Sequence, residues 1–290
     1  MKTSFKTYKQ RCKSENKELW QLVLEDEAEG YETDEKTIFD GIYRSLEVMK
    51  SSSKKALDKE VISKTGMTGG NAKKMKNYFL SGDTILGQTA NSAMAMAFST
   101  SEVNASMGKI VASPTAGSAG IMPATLMTMR EKYGYSDEQL AKALLTAVGI
   151  GEIIGDNATF AGAEGGCQAE CGAAAAMSAA AVCYLKGYDL DIQGNAASIA
   201  FINIMGLICD PIGGMVEFPC NLRNAFGVIN ALSSADMAMA GVKVLVTFDE
   251  TVEAMKRVGD SLTAELRETG DGGVAICKSA MLLRKKYIDN

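Results

Sequence analysis

The stretch GGCQAECG carries two cysteines, Cys167 and Cys171, in a run of small residues. Residues four apart lie on one face of a helix, so this spacing suits either a pair of metal ligands or two neighbouring buried thiols. A second pair, Cys209 and Cys220, brackets the stretch CDPIGGMVEFPC. Its prolines and paired glycines prevent a regular helix, so the chain must loop between the two thiols. Loops that bring two cysteines together often form metal or cluster sites, but this spacing matches no common zinc or ferredoxin pattern, so buried free thiols are the alternative.

The stretch NASMGKIVASPTAGSAG is rich in hydroxyl groups and glycine. Its hydroxyl residues include Ser113, Thr115 and Ser118. A loop of this kind ahead of a helix favours binding of an anion such as a carboxylate, whereas an ordinary connecting loop has a similar composition. A further stretch, LRETGDGGVA, is interpreted as the C-terminal end of a helix, which by itself needs no function.

The chain has 290 residues, seven cysteines and no histidine, with a formal net charge of -5. The missing histidine excludes a Ser-His-Asp hydrolase within this chain, and it leaves thiolates and carboxylates as the ligands of any metal. The mild acidity argues against a nucleic-acid surface, because phosphate binding needs a basic face.

The first twenty residues contain no apolar segment typical of a secretory signal. The longest small and apolar run, GAAAAMSAAAVCYL, is shorter than the roughly 18–20 residues of a membrane span. We therefore expect a cytoplasmic protein without a membrane partner. In that compartment the cysteines are expected to be free thiols rather than a disulfide framework.

Most of the chain has the pattern of amphipathic or small-residue helices. Ile38, Ile42, Leu46 and Met49 follow helical spacing, and Ser136 is a suitable N-cap for the segment DEQLAKALLTAVGIGEIIG. TGMTGGNAKKM indicates a turn that opens a helix, and from about residue 80 the composition shifts to Ala, Gly, Met and Ser. We predict an all-α, multi-helix fold whose Gly/Pro-rich loops carry the site. A helical segment, 1–80, is expected to pack on a catalytic region, 81–290, within one structural unit.

Several long stretches together resemble a known family. TGMTGGNAKK, NASMGKIVASPTAGSAGIMP, AGAEGGCQAECG, NIMGLICDPIGGMVEFPCNLRNA and LRETGDGGVA are similar, in this order, to the alpha chain of the iron–sulfur-dependent L-serine dehydratase (L-serine ammonia-lyase). The resemblance covers residues 20–275, nearly the whole chain. It implies an all-α catalytic chain, a [4Fe–4S] cluster, no pyridoxal phosphate, and deamination of L-serine to pyruvate and ammonia.

The resemblance also implies the cluster ligands. The cluster cysteines of the family lie in its GCQ, CDP and PC motifs, which match Cys167, Cys209 and Cys220. Cys171 stands where related sequences usually carry a small apolar residue, so it is expected to be a buried thiol. The remaining cysteines match no ligand motif; they are Cys12, Cys183 and Cys277. Three thiolates on four irons leave one iron open as a Lewis acid for the substrate hydroxyl and carboxylate.

The same resemblance implies roles for polar residues. Ser113, Thr115 and Ser118 are expected to donate hydrogen bonds to the substrate carboxylate, and Asn104 is a further catalytic candidate. Polar groups expected around the cluster are Asn157, Asp210 and Arg223. Asp210 is interpreted as a loop cap rather than a base.

Two departures from the family pattern bear on function. The segment before GCQ usually has the pattern Asn-Ala-Ser-x-Ser-Gly, whereas here it is NATFAG, with Thr159 and Ala161 in place of the serines. The family also uses a Ser-Ser-His-Thr motif from a β domain, and this histidine-free chain lacks it. We therefore expect a separate β chain as partner, in a heterodimer or a larger assembly. The alternatives are the same elimination on L-threonine or L-cysteine, and a cluster-binding scaffold or sensor without activity.

Overall fold

The computed structural model of the chain describes residues 3–289, which form thirteen α-helices joined by loops, short 3₁₀ turns and one π-helical turn. The helices are α1 Phe5–Glu15, α2 Leu19–Gly30, α3 Glu35–Lys55, α4 Asn71–Leu80, α5 Gly87–Ala105, α6 Ile121–Tyr133, α7 Asp137–Asn157, α8 Gly162–Gly165, α9 Ala173–Leu185, α10 Leu190–Ile202, α11 Cys220–Met239, α12 Phe248–Ser261 and α13 Lys278–Tyr287. Strand-like pairing over the described residues is limited to two isolated bridges. The prediction of an all-α, multi-helix fold is confirmed.

The centre of the fold is the alanine-rich helix α9. Every residue of α9 except Tyr184 is buried, and α6, α7, α10 and α11 pack around it. Its small side chains let the neighbouring backbones approach closely, and larger residues such as Leu145, Ile150 and Phe201 fill the space between helices. α7 begins as predicted, because the Ser136 hydroxyl accepts a hydrogen bond from the Gln139 amide.

The first three helices share this core. Leu22 and Val23 of α2, with Leu46 and Met49 of α3, are buried in the same cluster as residues of α7, α9 and α10. Residues 1 and 2 of the predicted segment 1–80, and residue 290 of the predicted region 81–290, lie outside the described residues. The boundary between segment and region at residue 80 stays a prediction. The buried cluster contains residues from both sides of that boundary.

Two loops that are distant in sequence are joined by hydrogen bonds to a buried glutamate. The TGMTGG turn opens α4 as predicted, and the hydroxyls of Thr65 and Thr68 donate to the buried carboxylate of Glu217 at 2.9 and 3.1 Å. Glu217 belongs to the loop that links Cys209 to Cys220, so the early turn is fastened to the cysteine-bearing loop. Within residues 3–289, none of the helices combines the length and hydropathy that a bilayer crossing needs.

Candidate metal centre

Cysteines from three separate segments converge in a buried pocket. Cys167 immediately precedes the π-helical turn Gln168–Gly172, Cys209 lies in the loop after α10, and Cys220 is the first residue of α11. All three side chains are buried. The sulfur atoms of Cys167 and Cys209 and a carboxylate oxygen of Glu170 lie within 4.8 Å of one another. This group of three ligand atoms does not include Cys220, whose pKa is raised by burial and by the nearby charge of Cys167.

Cys171 is a fourth thiol of this pocket. Its side chain is buried against Ile121, Ala174 and Ile204, and its thiol donates a hydrogen bond to Cys167. Hydrogen bonds from Cys171 and Cys209, together with the Arg223 guanidinium, hold the pKa of Cys167 well below its usual range. The pKa values of Cys171 and Cys209 are raised because each donates to that thiolate and both are desolvated. The expectation from sequence that Cys171 is a buried thiol and not a cluster ligand stays a prediction.

The π-helical turn Gln168–Gly172 carries Glu170 and Cys171. It begins directly after Cys167 and ends where α9 begins. Such turns are rare and are found mostly at functional sites, because they shift the side chains that follow relative to a regular helix. Gln168, at its start, is held from both sides: its amide nitrogen donates to the Met255 carbonyl, and its amide oxygen accepts from the Gly206 amide.

Arg223 ties together the elements of the pocket. One guanidinium nitrogen donates to the Cys167 sulfur at 3.2 Å and to the Ile208 carbonyl at 2.8 Å, while the other donates to Asp210 at 2.5 Å. Asp210 is buried, and its second oxygen accepts from the Val274 amide at 2.7 Å. The geometry of Asp210 is therefore that of a loop anchor, and Arg223 supplies positive charge beside a thiolate.

The segment LRETGDGGVA lies against the cysteine loop. The Cys209 amide donates to the Leu266 carbonyl at 2.8 Å, and the Glu268 amide donates to the Cys209 carbonyl at 2.7 Å. α12 already ends at Ser261, so the interpretation of this stretch as a helix C-terminus was wrong. The helix stops there, five residues ahead of Leu266, and the chain then runs alongside Cys209, whose backbone groups it satisfies.

The predicted hydroxyl residues form the wall facing the cysteines. The Thr115 hydroxyl donates to Glu170 at 2.8 Å and lies 3.1 Å from the Ser118 hydroxyl. Ser118 is buried, and its hydroxyl lies 3.5 Å from the carbonyl oxygen of Ser113, whose own side chain is also buried. Asn104, at the end of α5, donates to the Ala116 carbonyl at 3.2 Å and so supports the loop from outside.

Asn224 of α11 joins the hydroxyl loop to the cysteine helix. Its amide nitrogen donates to the carbonyls of Gly117 and Cys220 at 2.7 and 2.9 Å, and its amide oxygen accepts from the Gly120 amide at 2.8 Å. The side chain is buried, so these three hydrogen bonds fix the distance between the two halves of the pocket.

Glu170 occupies the space between thiols and hydroxyls. A Cβ at Gly117 would lie 2.9 Å from one of its oxygens, and a Cβ at Gly162 would lie 2.9 Å from the other and 3.0 Å from the Cys209 sulfur. Burial and the charge of Cys167 raise the pKa of Glu170 to about 7. A side chain in place of either glycine would displace the Glu170 carboxylate, and one in place of Gly162 would also displace the Cys209 thiol.

The structure separates one predicted residue from this group. The amide nitrogen of Asn157 donates to the carbonyls of Thr3 and Ile153 at 2.7 and 2.8 Å, which fastens the N-terminal segment to α7. The Thr159 hydroxyl likewise bonds to Glu164, outside the pocket. Sequence reasoning missed Glu170 and Asn224; the only signal for Glu170 was its position three residues after Cys167, on the same helical face.

Comparisons with known proteins agree with this arrangement. The family model described as serine dehydratase alpha chain matches residues 14–275. The chain is 50% identical over 277 residues to the "L-serine dehydratase, alpha chain" of Peptoniphilus asaccharolyticus, covering 96% of this chain and 95% of that protein. It is 42% identical over 265 residues to the "Probable L-serine dehydratase, alpha chain" of Bacillus subtilis, covering 91% and 88%. The "L-serine dehydratase" of Streptomyces coelicolor is 33% identical over 263 residues, covering 88% of this chain and 56% of that longer protein.

Proposed function

The chain belongs to the serine dehydratase alpha chain family and is an L-serine ammonia-lyase, and from that premise we propose that it deaminates L-serine to pyruvate and ammonia with a [4Fe–4S] cluster. We propose Cys167, Cys209 and Cys220 as the cluster ligands. The observation that carries the proposal is the buried pair of Cys167 and Cys209, with Arg223 donating to the Cys167 sulfur. Cys220, the first residue of α11, is buried as well.

The donor set suits an iron–sulfur cluster. Soft thiolates select iron–sulfur, zinc or copper(I), and the absence of histidine from the chain removes the mixed ligand sets common for zinc. Gly162 keeps space open beside Cys209, since a Cβ there would lie 3.0 Å from its sulfur. Hydrogen bonds and charge around the sulfurs, such as those from Arg223, are a main means of tuning such clusters.

When bound, the cluster would supply an open iron as Lewis acid, which makes the β-hydroxyl a better leaving group. The reaction removes the Cα proton and the β-hydroxyl, and the resulting aminoacrylate tautomerises to an imine that water hydrolyses. The residues of this chain are proposed to bind and orient the substrate. Ser113, Thr115 and Ser118, with the neighbouring backbone amides, would hold the carboxylate, and Asn104 would keep their loop in place.

A separate β chain is the proposed partner. Removal of the Cα proton needs a base within hydrogen-bond reach, and the histidine that the family carries in its β domain has no counterpart in this chain. Both of the most similar relatives described above are named alpha chains, and the longer Streptomyces protein extends well beyond the matched part. The free state of all seven cysteines fits the cytoplasmic location that we propose.

The test begins with anaerobic reconstitution of the chain. We expect a brown protein with about four irons and four sulfides per chain and the broad visible absorption of an iron–sulfur cluster. Activity should decay in air and return with iron and thiol. Full activity of an aerobic, iron-free preparation would contradict the proposal.

Pyruvate release then separates the alternatives. With its β chain, the reconstituted protein should turn over L-serine faster than L-threonine or L-cysteine; a preference for either would move the substrate assignment. The cluster-loaded chain alone should turn over L-serine slowly or not at all. Rapid turnover by the isolated chain would contradict the need for a partner, and no turnover by the complex would favour a scaffold.

A further inference from the structure

We propose that Glu170 binds the α-ammonium group of the substrate. The inference rests on the proposed function, because it concerns the orientation of an amino acid in the same pocket. Glu170 is buried between the thiol group and the hydroxyl loop, on the π-helical turn that follows Cys167. It is therefore placed among the groups proposed to hold the other two functional groups of L-serine, the hydroxyl and the carboxylate.

The carboxylate of Glu170 is held rigidly, and only one of its two oxygens accepts a hydrogen bond from the described residues. Its Oε1 accepts a hydrogen bond from Thr115, and the backbones of Gly117 and Gly162 close in on both oxygens. Over residues 3–289, Oε2 receives no hydrogen bond, and it is not among the polar atoms that are sealed away from solvent without a partner. It is thus an acceptor that a ligand entering the pocket can reach.

Glu170 also lacks a positive partner inside the chain. No lysine or arginine of the described part forms an ion pair with it, and the cation nearest in the pocket, Arg223, is bound to Asp210, Cys167 and Ile208. A buried carboxylate without a counter-charge is costly, and either a bound proton or a ligand with a positive charge relieves that cost. An amino acid brings an ammonium group with three donors, which satisfies both the free oxygen and the missing charge.

This assignment divides recognition of L-serine among three parts of the pocket. The hydroxyl loop takes the carboxylate, Glu170 takes the ammonium group, and the thiol-bound group takes the leaving hydroxyl. Three fixed points on the substituents of Cα define a handed site, which accounts for selection of an L-amino acid. Thr115 donates its one hydroxyl proton to Glu170 and so joins the two sites, which leaves Ser113, Ser118 and backbone amides as the donors to the substrate carboxylate.

The experiment compares Glu170→Gln with the wild type, both reconstituted anaerobically with the β chain. Glutamine keeps the shape and one acceptor oxygen for Thr115, while it removes the charge and puts an NH2 donor in place of the second oxygen. Glu164→Gln is the matched control, since Glu164 is an exposed glutamate six residues earlier whose carboxylate bonds to Thr159. The ligands are L-serine and 3-hydroxypropanoate, which has the same carboxylate and β-hydroxyl and no ammonium group. Readouts are iron content, the cluster spectrum with each ligand, KM, kcat and the inhibition constant.

We expect Glu170→Gln to keep its iron and spectrum, to raise KM for L-serine about tenfold or more, and to bind 3-hydroxypropanoate within about twofold of the wild type. The control should match the wild type in every readout. Loss of iron would make Glu170 a metal ligand, a fall in kcat at unchanged KM would make it a proton carrier, and equal weakening of both ligands would make its role structural. Each of these overturns the inference alone, whereas a wild type without iron or turnover overturns the proposed function itself and the inference with it.

Discussion

Buried and partly buried ionisable groups meet in two regions of the molecule, and the two regions differ in how their acidic groups are hydrogen-bonded. One is the thiol pocket formed by Cys167, Cys171, Cys209, Cys220 and Glu170. The other, which we call the clamp, joins α1 and α2 to α7 through Tyr8, Arg11, Asp26 and Glu152. In the clamp, Arg11 binds Asp26 through two hydrogen bonds of 2.6 and 2.9 Å, and the Tyr8 hydroxyl donates to Glu152.

Both acids of the clamp accept hydrogen bonds from within the chain, whereas in the thiol pocket one oxygen of Glu170 accepts none from the described residues. Each acid of the clamp has a donor from a neighbouring helix, which suits a device that holds the N-terminal helices to the body. In the pocket, four thiols and a carboxylate face one another with Arg223 as their only cationic contact among the described residues. Thiols and a carboxylate with shifted pKa values, gathered beside a single cation, are typical of a metal or substrate site.

The largest effect is expected from removing a proposed ligand. Cys167→Ala, Cys209→Ala and Cys220→Ala should each lose the cluster and all activity, because a thiolate bond to iron has no substitute nearby. Iron and sulfide analysis with the visible spectrum measures the loss.

Cys171→Ala and Cys183→Ala are the controls for these ligand variants. Cys183 is buried in α9 far along the alanine-rich helix, and burial raises its pKa to about 12, which is the state of an inert thiol. Cys171 is the sharper control, since its thiol contacts Cys167. Both variants should keep the cluster. A cluster retained in Cys209→Ala, or lost in Cys171→Ala, would contradict the ligand set.

A smaller effect is expected from Arg223→Gln. The substitution removes the charge beside Cys167 and the ion pair with Asp210, while glutamine can still donate one hydrogen bond. Loss of a group that orients metal ligands typically costs 10–100-fold, so we expect iron affinity or activity to fall by about that factor. Arg257→Gln on the exposed face of α12 is the control. Cluster stability equal to wild type would show that Arg223 does not support the thiolate.

Asn224→Ala tests whether the pocket needs its two halves at a fixed distance. Three buried hydrogen bonds would be lost, and unsatisfied buried groups cost about 1–3 kcal/mol each, partly recovered by relaxation. We expect a lower melting temperature and a raised KM for L-serine, with iron content near that of the wild type. Asn203→Ala is the comparison, because its amide bonds to Asn230 outside the pocket. Loss of iron without a change in KM would contradict this prediction, because it would mean that Asn224 supports only the position of Cys220.

The fold and the cysteines followed from sequence for local reasons. Helical spacing of apolar residues, such as Leu46 and Met49, and the N-cap at Ser136 are set by neighbours within a few residues. The family motifs likewise draw attention to residues whose side chains are unusual in type, such as cysteines beside prolines. The helices were therefore predicted from local patterns. Of the three proposed ligands, the structure places the sulfurs of Cys167 and Cys209 within 4.8 Å of each other, and the ligand set as a whole stays a prediction.

The rest depended on contacts between distant segments. Asn157 lies two residues before the altered NATFAG positions, yet its amide binds Thr3, 154 positions away in the chain. No local pattern distinguishes Glu170 from an ordinary helical glutamate. Its carboxylate lies between thiols and hydroxyls because of the π-helical turn and the space left by two glycines. The end of α12 at Ser261 was missed because the following segment gains its hydrogen bonds from Cys209, which no local pattern shows.

The smallest effect is expected from the clamp, and it should appear in stability rather than in the cluster. Burial, followed by the charge of Glu27, raises the pKa of Glu152 from its ordinary value of 4.5 to about 7, although the hydrogen bond from Tyr8 opposes the rise. Between those pH values the folded chain holds a proton that the unfolded chain has lost. Stability contributed by Glu152 is therefore highest below pH 4.5 and falls as the pH rises through about 7.

Glu152→Gln removes this titration while keeping an acceptor for the Tyr8 hydroxyl. We expect the variant to be more stable than the wild type at pH 8 by about 1–3 kcal/mol, and the two to converge below about pH 4.5. Urea unfolding at the two pH values measures the difference, with Glu253→Gln on the exposed face of α12 as control. Iron content of the reconstituted variant should equal that of the wild type, because the clamp shares no residue with the thiol pocket. If the pH dependence of stability is unchanged in the variant, another acid of the clamp takes up the proton and the prediction is wrong. If the variant loses iron, the clamp and the thiol pocket are coupled through α7.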